Sequence, residues 1–246
     1  MAQLQRLAIA PSQLQDGKIV LTTKQHHYLS RVLRLRPGDR FIAMDGLGQW
    51  WLATLGGAEA QILEPIQIQT ELPVSITLMV ALPKGNGFDE VVRYCTELGA
   101  ACIAPIVSDR ALLNPSPQKL ERWRRIAKEA AEQSERSLVP AILEPVSFAS
   151  GVSASTATQR YICVARSSCL HLKDAINRVS TTAEIIIATG PEGGWTSSEV
   201  SCAIQAEFQP VSLGRRILRA VTAPLVALSL VAAALESAPA TLDECI

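Results

Sequence analysis

The stretch Ile185-Ile186-Ile187-Ala188-Thr189-Gly190-Pro191-Glu192-Gly193-Gly194-Trp195-Thr196-Ser197-Ser198-Glu199 decides how this chain folds. A continuous apolar run gives way to a Gly-Pro-Glu-Gly-Gly turn. Thr196-x-x-Glu199 follows, the pattern in which a threonine and a glutamate satisfy each other's backbone N–H groups at a helix start. The order is strand, tight loop, helix. A strand without polar alternation is buried on both faces, which implies a parallel sheet under helices, and ligands of such sheets sit at the carboxyl ends of the strands. The glycines are therefore where a ligand can approach. The loop has neither the Gly-Lys-Ser/Thr of a phosphate loop nor the Gly-x-Gly-x-x-Gly of a dinucleotide site, which disfavours a phosphate-centred cofactor.

A second element follows at Val211-Ser212-Leu213-Gly214-Arg215-Arg216-Ile217-Leu218-Arg219-Ala220-Val221-Thr222-Ala223, running into an apolar stretch from Pro224 to Leu235. Gly-Pro-Glu-Gly-Gly followed by Leu-Gly-x-Arg-Ile-Leu-Arg-x-x-Thr-Ala resembles the RsmE family of 16S ribosomal RNA uridine-N3 methyltransferases, of the SPOUT superfamily. The resemblance extends from Arg6 to Leu235. It implies an α/β fold with an N-terminal PUA-like β-barrel and a C-terminal methyltransferase domain tied in a deep trefoil knot. It further implies a homodimer that binds S-adenosylmethionine and acts on 16S rRNA in the small ribosomal subunit. On the matching positions, Thr189, Gly190, Glu192, Gly193, Leu213, Gly214, Ile217 and Leu218 hold the cofactor. Arg219, always protonated, stabilises the developing imide anion of the base. One departure stands out: Val221 occupies the place of the family's glutamate in Arg-Thr-Glu-Thr-Ala. Two alternatives stay open: a SPOUT enzyme acting on ribose 2′-OH or guanine, and a catalytically silent RNA-binding dimer.

The chain has 246 residues, 48% of them hydrophobic, enough for one large core or two modest ones. Lys+Arg and Asp+Glu both number 23, so any surface for nucleic acid has to be local. Six cysteines, at 95, 102, 163, 169, 202 and 245, show no Cys-x-x-Cys pairing, and only three histidines are available to join them as metal ligands. Reduced, mostly buried thiols and no metal are expected. The N-terminus carries no secretion signal, so a cytoplasmic location is expected. Arg219 and Pro224 interrupt the C-terminal apolar stretch, and the remainder is shorter than the roughly 20 residues of a membrane span. A helix apolar on all sides is instead buried in a core or against a second subunit.

Residues 1–70 read as a small β-barrel, with short runs at Lys18-Leu21, Arg40-Met44, Trp50-Leu55 and Gln61-Ile68 separated by turn residues. Within them Thr22 to Leu35 has a helical pattern that puts Tyr28, Leu29, Val32 and Leu33 on one side and turns Arg31 and Arg34 to solvent. The segment His-x-Tyr-Leu-x-Arg-Val-Leu-Arg-x-x-Pro-Gly-Asp, beginning at His26, resembles the family's RNA-binding domain, and Arg6 matches an arginine of that pattern. The resemblance implies RNA contact by Arg6, His26, Tyr28, Arg31 and Arg34.

The second domain is expected over 74–246. Strand and helix alternate from Ile76-Leu82 through Phe88-Leu98 to Ala101-Val107. Glu97-Leu98-Gly99-Ala100 also resembles the family, with Tyr94 in place of its usual lysine. Pro105 and Ser108-x-Arg110 also resemble the family; a long helix opens at Ser116-Pro117, and Ala-Ala-Glu-Gln-Ser-x-Arg-x-x-x-Pro at 130–140 again resembles it, so Arg110, Gln133 and Arg136 are RNA or interface candidates. Residues 145–158, rich in Ser, Thr and Ala, read as a weakly packed connector. Tyr161-Ala165 is a further strand, with Arg166-Ser167-Ser168 at its ligand-facing end.

Overall fold

The computed structural model describes residues 4–110, 115–166, 168–176 and 183–236; Ser167 and Cys245, singled out above, lie outside them. The chain divides into one unit of Met1–Glu71 with Lys128–Val139 and another of Leu72–Ala127 with Pro140–Ile246.

The first unit is a six-stranded sheet of β1 (Arg6–Ala8), β2 (Leu14–Gln15), β3 (Lys18–Val20), β4 (Arg40–Met44), β5 (Trp50–Leu55) and β6 (Glu59–Ile66), in the order β1-β4-β5-β6-β3-β2. Side chains alternate across a strand, and here both sides are buried. Leu7, Phe41, Ala43, Ala53 and Leu55 pack with Leu29 into one cluster, while Ala8, Ile42, Met44 and Trp50 pack against Ala131 and Val139. That second contact is why residues 128–139, read from sequence as part of the second domain, join the first unit. Gly46 fits this packing for two reasons. Its φ is +71°, and an added Cβ would come within 2.7 Å of the Val139 Cγ2.

A short helix, α1 (Thr23–His27), is capped by the Thr22 hydroxyl, which accepts the Gln25 N–H at 3.2 Å. At Tyr28 the backbone widens into a π-helical turn over Tyr28–Val32 and ends with Arg34 at φ 58°. The wider turn breaks the apolar face expected at α-helical spacing. Leu29 is fully buried, but Tyr28 is 38% and Val32 58% exposed.

The second unit holds β7 (Ser75–Ala81), α2 (Gly87–Glu97), β8 (Cys102–Val107) and α3 (Pro117–Gln133), whose last turns belong to the first unit. Then come β9 (Ala141–Ile142), β10 (Val146–Ser147), α4 (Phe148–Ser153), β11 (Gln159–Cys163), α5 (Leu172–Ile176), β12 (Glu184–Thr189), α6 (Ser197–Gln205), β13 (Gln209–Val211) and α7 (Thr222–Glu236). The sheet runs β10-β8-β7-β12-β11-β13, with β9 beside β8, and each pairing in it is parallel. One face packs Met79, Ile106, Ile186 and Ala188 against Phe148, Val152 and Ala203 of α4 and α6. Ile185 and Ile187 point the other way and are equally buried; α2, α5 and α7 pack together, with α7 against β12.

Two expectations from sequence are corrected here. Residues 145–158 are no loose connector: Ser147 caps α4, Phe148 is 4% and Val152 1% exposed, and a Cβ at Gly151 would meet Ile106 and Met79 at 2.9 Å. Small residues there allow the chain to lie close on the sheet. Arg136 is no surface cation: it is 3% exposed and its Nε donates to Glu71 Oε2 at 3.0 Å. The other oxygen of Glu71 accepts from Ser137 Oγ at 3.2 Å and Leu138 N–H at 3.0 Å. A buried guanidinium committed to a half-buried carboxylate is not available to an RNA phosphate. Removing one partner of a buried ion pair costs about 3 kcal/mol, so Glu71→Ala is expected to lower the unfolding free energy by about that much, read from the urea midpoint.

Candidate functional site

Four strands deliver the site. Because β8, β11, β12 and β13 are parallel, the loops after Val107, Cys163, Thr189 and Val211 leave the same edge of the sheet. They enclose a cavity of about 320 Å³ lined by Arg110, Cys163 to Arg166, Gly190 to Trp195, Leu213, Gly214, Arg216, Ile217 and Leu218, with Val200 and Ala223. Its charge among the described residues is one-sided: three guanidinium groups, Arg110, Arg166 and Arg216, against the carboxylate of Glu192.

The loops are tied to one another. Glu192 Oε1 accepts the Lys84 N–H at 3.0 Å, and Arg110 donates to the Gly193 carbonyl. The capping box of α6 forms as expected, with Thr196 accepting the Glu199 N–H and Glu199 Oε2 accepting the Thr196 N–H at 2.7 Å. It also reaches the β8 loop, because Glu199 Oε1 accepts the Asp109 N–H at 3.0 Å and Thr196 Oγ1 donates to Asp109 at 3.1 Å. Trp195 packs tilted against Phe148 with ring centroids 4.5 Å apart, and an added Cβ at Gly190 would sit 3.2 Å from its indole. A side chain at 190 would therefore press on the indole, while Gly194 and Gly214 adopt φ of 68° and 110°.

Seven of the eight sequence-derived cofactor positions meet at this cavity. The exception is Thr189, fully buried at the end of β12 and outside the lining. Its Oγ1 and the Nε1 of Trp195 are buried without a hydrogen-bond partner among the described residues. Arg219 is exposed and outside the lining, with its carbonyl accepting the Thr222 and Ala223 N–H groups at the start of α7. Val221 packs on Gly87, where an added Cβ would come within 2.7 Å of its Cγ1. Sequence reasoning did not single out Trp195 or Arg216, although both stand inside the quoted motifs; only the turn of each loop shows which side chains face the cavity.

The RNA candidates are dispersed. Arg110 lines the cavity, whereas Arg31 and Arg34 are exposed beside Tyr28 on the π turn and His26 is half-buried. Arg6 pairs with Glu135 at 2.7 Å and lies over the Trp50 ring at 5.6 Å. Among the described residues no group of His, Cys, Asp and Glu is placed to hold a metal ion, and no helix is long and apolar enough to cross a membrane.

Of the described cysteines only Cys95 is fully buried; Cys102, Cys163, Cys169 and Cys202 are half-buried, so the thiols are less enclosed than expected. Burial nevertheless pushes the Cys163 thiol in the cavity wall up to about 12, which leaves it a neutral wall group and not a nucleophile. Iodoacetamide at pH 8 is expected to leave Cys163 unmodified in the native protein and to alkylate it in urea, as peptide mass mapping would show.

Comparison with known proteins accords with this geometry. An RNA methyltransferase domain family matches residues 70–232, and an RNA methyltransferase PUA domain family matches residues 21–63. The ribosomal RNA small subunit methyltransferase E of Synechocystis sp. is 51% identical over 94% of this chain and 78% of its own length. That of Bacillus subtilis is 29% identical over 85% of this chain and 87% of its own. The crystal structure of the Neisseria gonorrhoeae ribosomal RNA small subunit methyltransferase E bound to S-adenosylmethionine superimposes with a TM-score of 0.83 at 31% identity, covering 92% of this chain and 96% of that one. With the glycine loops assembled at one sheet edge and both family domains matched in order along the sequence, this chain belongs to the ribosomal RNA small subunit methyltransferase E family of RNA methyltransferases.

Proposed function

We propose that this chain transfers a methyl group from S-adenosylmethionine to N3 of an unpaired uridine in 16S rRNA of the small subunit, acting in the cytoplasm as a homodimer. The observation that carries the reading is the cavity at the carboxyl ends of β11, β12 and β13, built from the same glycine loops that carry the family resemblance. The trefoil knot implied by that resemblance is part of the proposal. Leu225, Val226 and Leu230, left half-buried on α7, support a subunit contact.

The lining suits this cofactor by its chemistry. Leu213, Ile217 and Leu218 offer apolar walls for an adenine ring, and Ile217 is 58% exposed at the rim. Arginines face a carboxylate well, and Glu192 faces an ammonium. Trp195 Nε1 is a donor still lacking an acceptor. When bound, S-adenosylmethionine supplies a methyl group on a sulfonium that needs no further activation.

The protein's work is then on the base. N3 carries a proton and is a poor nucleophile until it leaves, and on the Watson–Crick edge it is blocked in a duplex, so the uracil must be splayed out. Val221 offers no carboxylate, so the proton leaves to a base other than the family's glutamate. Arg219, exposed beside Leu218, stabilises the imide anion with a charge that no working pH removes. Arg31, Arg34 and Arg110 contact RNA.

Gly193→Val is expected to abolish S-adenosylmethionine binding by calorimetry while melting remains cooperative, because a Cβ there already comes within 3.1 Å of Arg110 Cδ. Undiminished binding would refute the cofactor placement. Arg219→Ala is expected to lower turnover by about a hundredfold with donor affinity nearly unchanged, since an interaction made only in the transition state appears in the rate. Nucleoside mass spectrometry of unmodified small subunits treated with protein and S-adenosylmethionine should show N3-methyluridine. A methyl on ribose or guanine, or none, would overturn the reaction.

A further inference from the structure

A second cavity, of about 340 Å³, lies within the first unit and is lined by Leu4, Gln5, Arg6, Tyr28, Glu129, Glu132, Gln133 and Glu135. Its chemistry is the reverse of the first: three carboxylates and one guanidinium. A phosphate is a poor occupant of such a site, because like charges at contact distance repel. A metal ion is disfavoured as well, since no group of His, Cys, Asp and Glu among the described residues is placed to hold one.

What the cavity offers is a flat wall and the carboxylate of Glu132. Tyr28 keeps an exposed aromatic ring, raised from the α-helical path by the π turn. Its phenol is held protonated, by its own partial burial first and then by the charges of Glu132 and Glu129. Glu132 accepts the Ala8 N–H through Oε1 at 2.7 Å, and its Oε2 has no hydrogen bond among the described residues. Burial pushes this carboxyl above its usual range, so a donor placed on its free oxygen would relieve an existing cost. Glu135 is already answered by Arg6. Gln133, on the next position of α3, is exposed, as is Gln5.

Unpaired RNA bases are recognised by stacking on aromatic rings and by hydrogen bonds to their Watson–Crick edges. Among the four bases only guanine presents two adjacent donors, N1–H and N2–H₂, to a carboxylate, with the O6 acceptor beside them for an amide or guanidinium. Uracil offers a single donor, and adenine and cytosine one amino group each. Exposed Arg31 and Arg34 follow Tyr28 along the same turn and can hold the adjoining phosphates.

We propose that the first unit carries a nucleobase pocket selective for an unpaired guanine of the RNA, with Tyr28 as the stacking wall and Glu132 as the acceptor of the guanine N1–H and N2–H. The pocket deepens the RNA methyltransferase reading, on which it rests, by naming a base other than the one methylated.

The test is fluorescence anisotropy with the full-length protein and single-stranded RNA hexamers carrying one guanine, inosine, adenine, cytosine or uracil in an otherwise constant sequence. The guanine hexamer is expected to bind about tenfold more tightly than the inosine one, which lacks only the N2 amine. Glu132→Gln, which keeps an oxygen for the Ala8 N–H, should erase that preference. Tyr28→Leu, at an exposed position, should weaken all five hexamers, while Tyr28→Phe restores binding. Equal affinities in the wild type, or a preference that survives Glu132→Gln, would overturn the pocket. Methyl transfer to small subunits, assayed in parallel, separates the two claims. Transfer without guanine preference refutes the pocket alone; guanine preference without transfer supports the pocket and refutes the reaction alone.

Discussion

The structure depends on one strand that has no free side. β12 is paired to β7 over six registered residues and to β11 over four, and Ile185 to Thr189 are buried whichever way they point. Its backbone groups have no recourse to water, so they are satisfied only if both neighbours are in place and parallel. That requirement sets the direction of the sheet and gathers the carboxyl ends of β8, β11, β12 and β13 along one edge. The chain leaving Thr189 turns where the Trp195 ring leaves little space for a Cβ at 190. The glycine loop thus answers to packing at Gly190 and to backbone conformation at Gly194, and its open backbone is the consequence.

Charge is sorted within each unit of a chain whose formal net charge is zero. The cavity of the second unit collects Arg110, Arg166 and Arg216, with Arg215 and Arg219 exposed in the same loop as Arg216. In the first unit, Arg31, Arg34, Arg36 and Arg40 are exposed, while Glu129, Glu132 and Glu135 line a separate cavity. A neutral protein can bind a polyanion only by such local concentration. Arg136 shows the limit of counting charges: buried against Glu71, it holds the segment after α3 in place and adds nothing to that surface.

The arrangement also bears on how a base can be methylated without the family's usual glutamate. Val221 fills the niche over Gly87, which couples the start of α7 to the start of α2 by apolar contact. A carboxylate at 221 would have to leave that niche or be buried in it at a desolvation cost. The carboxylate that remains beside the glycine loop is Glu192, positioned by the Lys84 N–H.

The sequence by itself determined the pieces whose signals are local: the buried run at 185–189, the capping box of Thr196 and Glu199, the alternation of strand and helix from 75 to 107, and the glycine loops that meet at the cavity. The run, the cap and the alternation rest on periodicity or on capping, and the glycine loops on short motifs; none needs knowledge of distant residues. Tertiary structure alone decided what depends on partners far along the chain. Residues 145–158 became a strand and a packed helix because Ile106 and Met79 receive them. The end of α3 joined the first unit because Trp50 and Met44 needed cover. Arg136 turned inward because Glu71, 65 residues away, faced it. The widening at Tyr28 leaves one aromatic ring exposed while Leu29 packs into the cluster of the first sheet; a pattern of apolar residues carries no mark of it.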